Sequence, residues 1–255
     1  MFLNYKSIIK VNSVVNKLFS KNTRRRILRI FSWPMVGWVR FGSLKRLKPI
    51  SNDWGFDRGL PIDRYFVEKF LTENCGDIKG NVLEFKEDLY STRFGSTRIV
   101  NCNIVHPVIG NKKATIVADI TQKNSLPESH YDCIICTQTL QFIYDINTAL
   151  TTLFSSLKPG GILLATVSGI SKISREDMEQ WGHYWQFTSL SIKKLFLRHF
   201  SEDTLTIKTY GNVKSSTAFL YGLASDDLSE KDLIYHDPDY ELVITLRAVK
   251  SEGWI

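Results

Sequence analysis

Polar residues cluster where the chain leaves a series of short apolar runs. Glu84, Phe85, Lys86, Glu87, Asp88 and Tyr90 follow one run. Asn103 and His106 close a second, Asp119 and Ile120 a third, and Thr137, Gln138 and Gln141 a fourth. A carboxylate such as Glu84, closing an apolar segment, needs a partner. A ligand amine would serve, and so would an internal pair with Arg64 or Arg93. Asp119 has a turn or cap role as its alternative. No G-x-G-x-x-G or P-loop is present, so nothing lets the backbone approach a pyrophosphate closely. A smaller nucleoside, held by carboxylates and backbone amides, demands less. Cys133 and Cys136 lie three apart on one apolar run. They point to opposite faces and have no second pair with which to bind zinc. They read as core, and no metal site is expected.

The elements that must position these groups alternate. Asp63 can cap a helix whose apolar face is Phe66, Val67, Phe70 and Leu71. Strands are expected at 81–85, 98–105, 114–118, 131–137 and 162–167. Helices are expected at 146–157, stopped by the K-P-G-G at 158–161, and from Thr188 or Ser189 to about Arg198. Strands at 204–209 and 241–248 then form a closing antiparallel pair. This order implies an α/β fold, doubly wound, with a mostly parallel seven-stranded sheet. Open sheets of this kind bind ligands at the carboxyl ends of their strands, where the polar residues above fall. Asp132 opens a strand and reads as structural.

With 255 residues, 43% hydrophobic and 23% charged, the chain can bury a sizeable core. Its cysteine usage indicates a reducing compartment. The net charge of +7 is unevenly spread. Residues 1–50 hold twelve Lys or Arg and no acid, leaving 21 basic against 26 acidic residues in 51–255. The expected organisation is therefore a basic leader, 1–50, and a mildly acidic body, 51–255. Residues 5–21 read as an amphipathic helix with Lys6, Lys10, Lys17 and Lys21 on one face. Trp33 and Trp38 follow nearby. Such a leader suits an anionic membrane surface, or packs on the body or a protein partner. The uncharged run from Ile30 to Val39 is shorter than the ~20 residues of a spanning helix. The acidic body gives nucleic-acid binding little support.

Several segments together carry a resemblance. V-L-E-F at 82–85, V-A-D-I at 117–120, Y-D-C-I-I-C-T-Q-T-L-Q-F-I at 131–143 and L-K-P-G-G-I-L-L-A-T-V at 157–167 resemble the class I S-adenosylmethionine-dependent methyltransferases, with their Rossmann-like fold. R-G-L-P-I-D-R-Y at 58–65, W-G-H-Y-W-Q-F-T at 181–188 and Y-G-N-V at 210–213 resemble, more narrowly, a bacterial subgroup associated with polysaccharide biosynthesis. The likeness spans roughly residues 53–250.

The resemblance implies S-adenosylmethionine as cofactor. Glu84, Phe85, Lys86 and Tyr90 would face its methionine part. Asn103, aligned to the second-strand acid, would hold the ribose. Asp119 and Ile120 would contact the adenine, and Thr137 and Gln138 would line the floor. Two positions depart from the pattern. Lys86 stands where the subgroup has glycine, and Asn103 where it has an acid. The implied reaction is O-methylation of a sugar or glycan intermediate, in the cytoplasm or peripherally on the inner membrane face. The alternative is a methyltransferase-like binding or scaffold module without catalysis. A base for an acceptor hydroxyl should lie on a late loop. His183 is the leading candidate, with an exposed loop histidine as its alternative. Asp145 is the second, with a helix cap as its alternative. Trp181, Tyr184 and Trp185 would supply a sugar-binding edge or simply pack. Arg58 and Arg64 would cover the cofactor, bind an anionic acceptor, or pin the linker by ion pairs.

Overall fold

The computed structural model describes Thr23, Pro34 and residues 39–251. The amphipathic helix expected at 5–21 lies outside the described residues. The chain divides into two units, Met1–Lys48 and Pro49–Ile255. No described helix is long and apolar enough to cross a membrane.

In the larger unit, β1 (Gly80–Phe85), β2 (Ile99–His106), β3 (Ile116–Val117), β4 (Tyr131–Thr137) and β5 (Leu157–Ser168) run parallel. They join β6 (Leu205–Tyr210) and β7 (Val243–Val249) in one seven-stranded sheet. The order is β3-β2-β1-β4-β5-β7-β6, with β7 antiparallel to both neighbours. This is the expected Rossmann-like architecture. The chain leaves β1 towards β2 on one side and returns to β4 on the other. The gap between the β1 and β4 carboxyl ends is therefore the topological switch point.

Alternation along the strands divides the core between the two faces. Leu83, Ile134, Cys136, Leu163 and Ala165 pack with α2 (Ile146–Ser156) and α4 (Ser189–Phe196). Val82, Cys133, Ile135 and Leu164 pack with α1 (Ile62–Glu73) and α5 (Val213–Leu220). Cys133 and Cys136 thus face opposite ways, as their spacing requires. Burial raises the Cys133 thiol strongly and pushes that of Cys136 up to about 12.

The structure corrects several boundaries. Asp63 does not cap α1. The helix follows Pro61, and Asp63 sits in its first turn, where proline's fixed φ is already compatible with a helix start. The third strand shrinks to two residues at the sheet edge. The K-P-G-G segment belongs to β5, accommodated by a register shift between the Tyr131–Leu157 and Cys133–Ile162 pairs. Three helices went unread: α3 (Arg175–Gln180), α5 and α6 (Glu230–Ile234). The Y-G-N-V segment starts α5, with the Asn212 side chain accepting from the amides of Lys214 and Ser215.

Asp132 ties the amino ends of β1, β4 and β5 together. It accepts from the Asn81 amide at 2.7 Å and pairs with Lys158 at 2.8 Å. Burial opposes its ionisation, but Lys158 and the Asn81 amide hold the carboxyl below its ordinary value. Its contribution is therefore complete above the usual Asp range of about 3.9 and is lost as pH falls through the lower folded value. Gly80 packs against it at φ +68°, and a Cβ there would stand 2.4 Å from Asp132 Oδ2. Gly80→Ala is predicted to destabilise the chain by about 1–3 kcal/mol in urea unfolding. An unchanged midpoint would show that this junction is not constrained.

Candidate functional site

The crevice at the switch point is built around the end of β1. Glu84 is buried, and its partners within the chain are backbone amides and not Arg64 or Arg93. Its Oε1 accepts from the Tyr90 amide at 2.9 Å and its Oε2 from the Ser91 amide at 2.7 Å. Burial pushes this carboxyl up, and the Ser91 and Tyr90 donors oppose the shift. The carboxylate thereby folds residues 85–91 back over the strand end. Arg93 instead pairs with Glu68. Lys86 adopts φ +73°, the left-handed backbone that glycine takes at least cost. Its amide donates to Val105 and its carbonyl accepts from Asn111, so the conformation is pinned from both sides. Its side chain is exposed. Glu87 and Asp88 are held by exposed ion pairs to Lys113, which contribute little stability.

Tyr90 is buried, and its hydroxyl accepts from Arg64 Nη1 at 3.0 Å. Arg64 stands in the first turn of α1. Burial works against its charge, but the Tyr90 hydroxyl and nearby Asp63 and Glu87 raise its pKa further. Among the described residues its guanidinium forms no ion pair, so a half-buried cation faces the β1 loop. Arg58 behaves differently. It pairs with Asp227, 2.9 Å from Nε to Oδ2, pinning the linker to the body. Of the roles expected for Arg58, the structure shows the ion pair that pins the linker.

At β2 the expectation is corrected by three residues. Asn103 pairs with Leu83 in mid-strand, and its side chain bonds Thr115 Oγ1 at 3.2 Å and the Tyr131 hydroxyl at 3.5 Å. The strand ends at His106, which occupies the crevice position assigned to Asn103. Asp119 accepts from the amide and hydroxyl of Thr121, forming its own turn. Burial opposes its charge, but these donors hold it below the ordinary value. The side chain of Ile120 is in the core. Thr137 ends β4, and Gln138 follows at φ +47° with its amide on Thr166 of β5. Two non-glycine residues, Lys86 and Gln138, thus hold left-handed backbone at the two strand ends that flank the switch point. Such conformations cluster at functional sites.

Residues 181–185 span this crevice. Trp181 packs edge-on against His106 at the end of β2, ring centroids 5.5 Å apart. His183 packs on Phe142, and Trp185 Nε1 donates to the Ile143 carbonyl at 2.9 Å, both beyond β4. The amides of Tyr184 and Trp185 both donate to the Gln141 carbonyl. Since β1 lies between β2 and β4, the segment passes across the carboxyl end of β1. Tyr144, which sequence reasoning missed, joins it. This residue is 72% exposed, stacks on Trp185 at 6.1 Å and meets Tyr184 edge-on at 5.4 Å. Its place beside the floor residues was the available signal. Asp145 caps α2 through the amide and hydroxyl of Thr148, which lower its pKa, and so is not a free base. His183 is half-buried, with Nδ1 on the Ser174 amide. Burial lowers its pKa against the pull of Asp177. Three buried polar atoms at this end have no partner among the described residues: Gln141 Oε1, Ser168 Oγ and His183 Nε2. Two open grooves lie elsewhere, along β6 and between α5 and α6.

A mostly parallel sheet with a loop turned back over β1 at the switch point defines a doubly wound α/β domain. Residues 55–206 match the methyltransferase domain family. The chain belongs to that family and is a class I S-adenosylmethionine-dependent methyltransferase. No curated protein matches it. Among solved structures, the N-methyltransferase NodS of Bradyrhizobium japonicum with S-adenosyl-L-homocysteine is 13% identical. That match covers 80% of this chain and 94% of that one at a TM-score of 0.49. A SAM-dependent methyltransferase of Thermotoga maritima is 15% identical, covering 77% and 95% at 0.49. One from Archaeoglobus fulgidus is 11% identical, covering 73% and 94% at 0.48.

The residues present fit the cofactor. A half-buried guanidinium with no ion pair among the described residues suits a carboxylate, and Lys86 keeps the glycine-like backbone while its side chain stays exposed. Lys86→Gly is predicted to raise stability by up to about 1 kcal/mol by removing the left-handed penalty, whereas Lys86→Ala leaves it unchanged. Thermal unfolding decides this. Equal behaviour of the two variants would contradict the strained loop.

Proposed function

We propose that the chain transfers a methyl group to an oxygen of a sugar or glycan intermediate. The observation that carries this is the aromatic surface formed by Tyr144, Tyr184 and Trp185, with Trp181 on the same segment. Flat aromatic faces beside a polar crevice suit the apolar face of a pyranose ring. Locking Trp185 to the Ile143 carbonyl makes the surface preorganised. When bound, S-adenosylmethionine supplies an activated methyl group. Arg64 would hold its carboxylate beside the Tyr90 loop, His106 its ribose, the 119–120 turn its adenine, with Thr137 and Gln138 as floor. The protein's own work is to align the acceptor and exclude water, which the 181–185 segment supports by its path across the crevice.

The basic leader adds a second part to the reading. Twelve basic residues with no acid in 1–50 support attraction to an anionic membrane surface. This would bring the domain to lipid-linked acceptors. The alternative of an inactive scaffold is not favoured. Lys86, one of its two motives, leaves the loop backbone in its glycine-like form, and Asn103, the other, lies in mid-strand rather than at the crevice.

The test is calorimetric titration of the full chain with S-adenosylmethionine and S-adenosylhomocysteine, followed by a screen of glycosides as methyl acceptors. Micromolar cofactor binding and methylation of a glycoside are expected. Tyr144→Ala should raise the acceptor KM about tenfold, the loss of about 1.4 kcal/mol, with cofactor affinity unchanged. Methylation of amine acceptors alone, or equal KM in Tyr144→Ala, would overturn the sugar reading. The full chain should also sediment with phosphatidylserine vesicles and not with phosphatidylcholine vesicles. Equal partition would remove the membrane reading.

A further inference from the structure

The hydrogen bonding around His183 fixes which of its nitrogens carries the proton. The Ser174 amide, 3.3 Å from Nδ1, can only donate, so Nδ1 must accept. A neutral imidazole has one accepting and one protonated nitrogen. The proton of neutral His183 therefore sits on Nε2. That atom is closed to solvent and meets no acceptor among the described residues. A base needs a free lone pair aimed at the proton it removes. His183 presents an N–H instead.

Gln141 has the opposite defect. It is 4% exposed, and its orientation is set by a relay. Its Nε2 donates to Gln138 Oε1 at 2.9 Å, and Gln138 Nε2 donates to Thr166 Oγ1 at 3.4 Å. This leaves Gln141 Oε1 buried without a donor. Its carbonyl receives the amides of the two residues that follow His183, at 2.9 and 3.3 Å. A buried donor and a buried acceptor are thus each unsatisfied, on two residues whose neighbouring backbone is joined by those bonds. Buried polar groups left unpaired point to a ligand that pairs them.

We propose that His183 is a positioning residue, not the base, and that its Nε2–H and the Gln141 Oε1 together grip a hydroxyl group of the methyl acceptor. A hydroxyl accepts one bond and donates another, matching both groups. An ammonium offers donors only and leaves the histidine N–H unpaired. The choice of ligand rests on the sugar-acceptor reading above, whereas the tautomer does not.

Long-range ¹⁵N correlation spectra of the full chain, with His183 assigned by H183Q, test the first part. The Nε2–H tautomer is expected at neutral pH. A dominant Nδ1–H tautomer overturns the proposal. The second part uses the S-adenosylhomocysteine-loaded chain titrated with methyl α-D-glucoside, galactoside and mannoside. Binding should shift the His183 Nε2 and Gln141 side-chain amide signals. H183L should weaken it about tenfold, while H183Q, which keeps an N–H donor, stays within threefold of wild type. Glycoside binding that leaves both signals unmoved overturns the grip. If no glycoside binds and the Nε2–H tautomer is found, the sugar reading falls and the assignment of His183 as a donor rather than a base is upheld.

Discussion

The buried carboxylate of Glu84 is the interaction on which the site depends. A charged group at the end of a central strand must be matched by donors, and here two backbone amides do so. That demand bends residues 85–91 back over β1. The bend sets Tyr90 beneath Arg64 and brings Lys86 into a left-handed backbone held by Val105 and Asn111. Remove the carboxylate, and the loop, the buried tyrosine and the arginine lose their common reference. A methyltransferase domain can thus keep its cofactor loop without a glycine-rich motif, because the turn is enforced by a side chain from within rather than permitted by the absence of side chains.

The second constraint is the path of residues 181–185. Sheet order places β1 between β2 and β4, so anchors at His106 and at the β4 loop oblige the segment to cross the carboxyl end of β1. The same few residues therefore close the crevice and present its aromatic rim. The segment is consequently more rigid than a free loop would be, with Gln141 linking it to Gln138 through its backbone and its side chain alike.

Much of this fold was legible in the sequence. The apolar runs of β1, β4 and β5, the L-K-P-G-G segment and the alternation of elements suffice for a doubly wound sheet. Buried strands read clearly because both faces are apolar. Strand β2 does not: its first half is largely exposed, so its end was placed one residue early, and of the two residues set at that end, Asn103 and His106, only His106 lies there. Partners distant in sequence were equally hidden. Arg58 meets Asp227 169 residues away, and no local pattern announces it. Asp145 and Asp119 show the reverse: each carboxylate accepts from a threonine two or three residues on, the capping and turn chemistry that the local sequence already offered as the alternative to a base at Asp145 and a ligand contact at Asp119. The glycine-like backbone at Lys86 was invisible for a physical reason, since conformation there is imposed by neighbours and not by the residue's own preference.

The most direct measurement is a crystal structure of the full chain with S-adenosylhomocysteine. The account predicts the ligand between the 86–91 loop and the 181–185 segment, its carboxylate on Arg64, with Glu84 still bound to the Tyr90 and Ser91 amides. A ligand bound outside the switch point, or Glu84 released from those amides to contact it, would contradict the account.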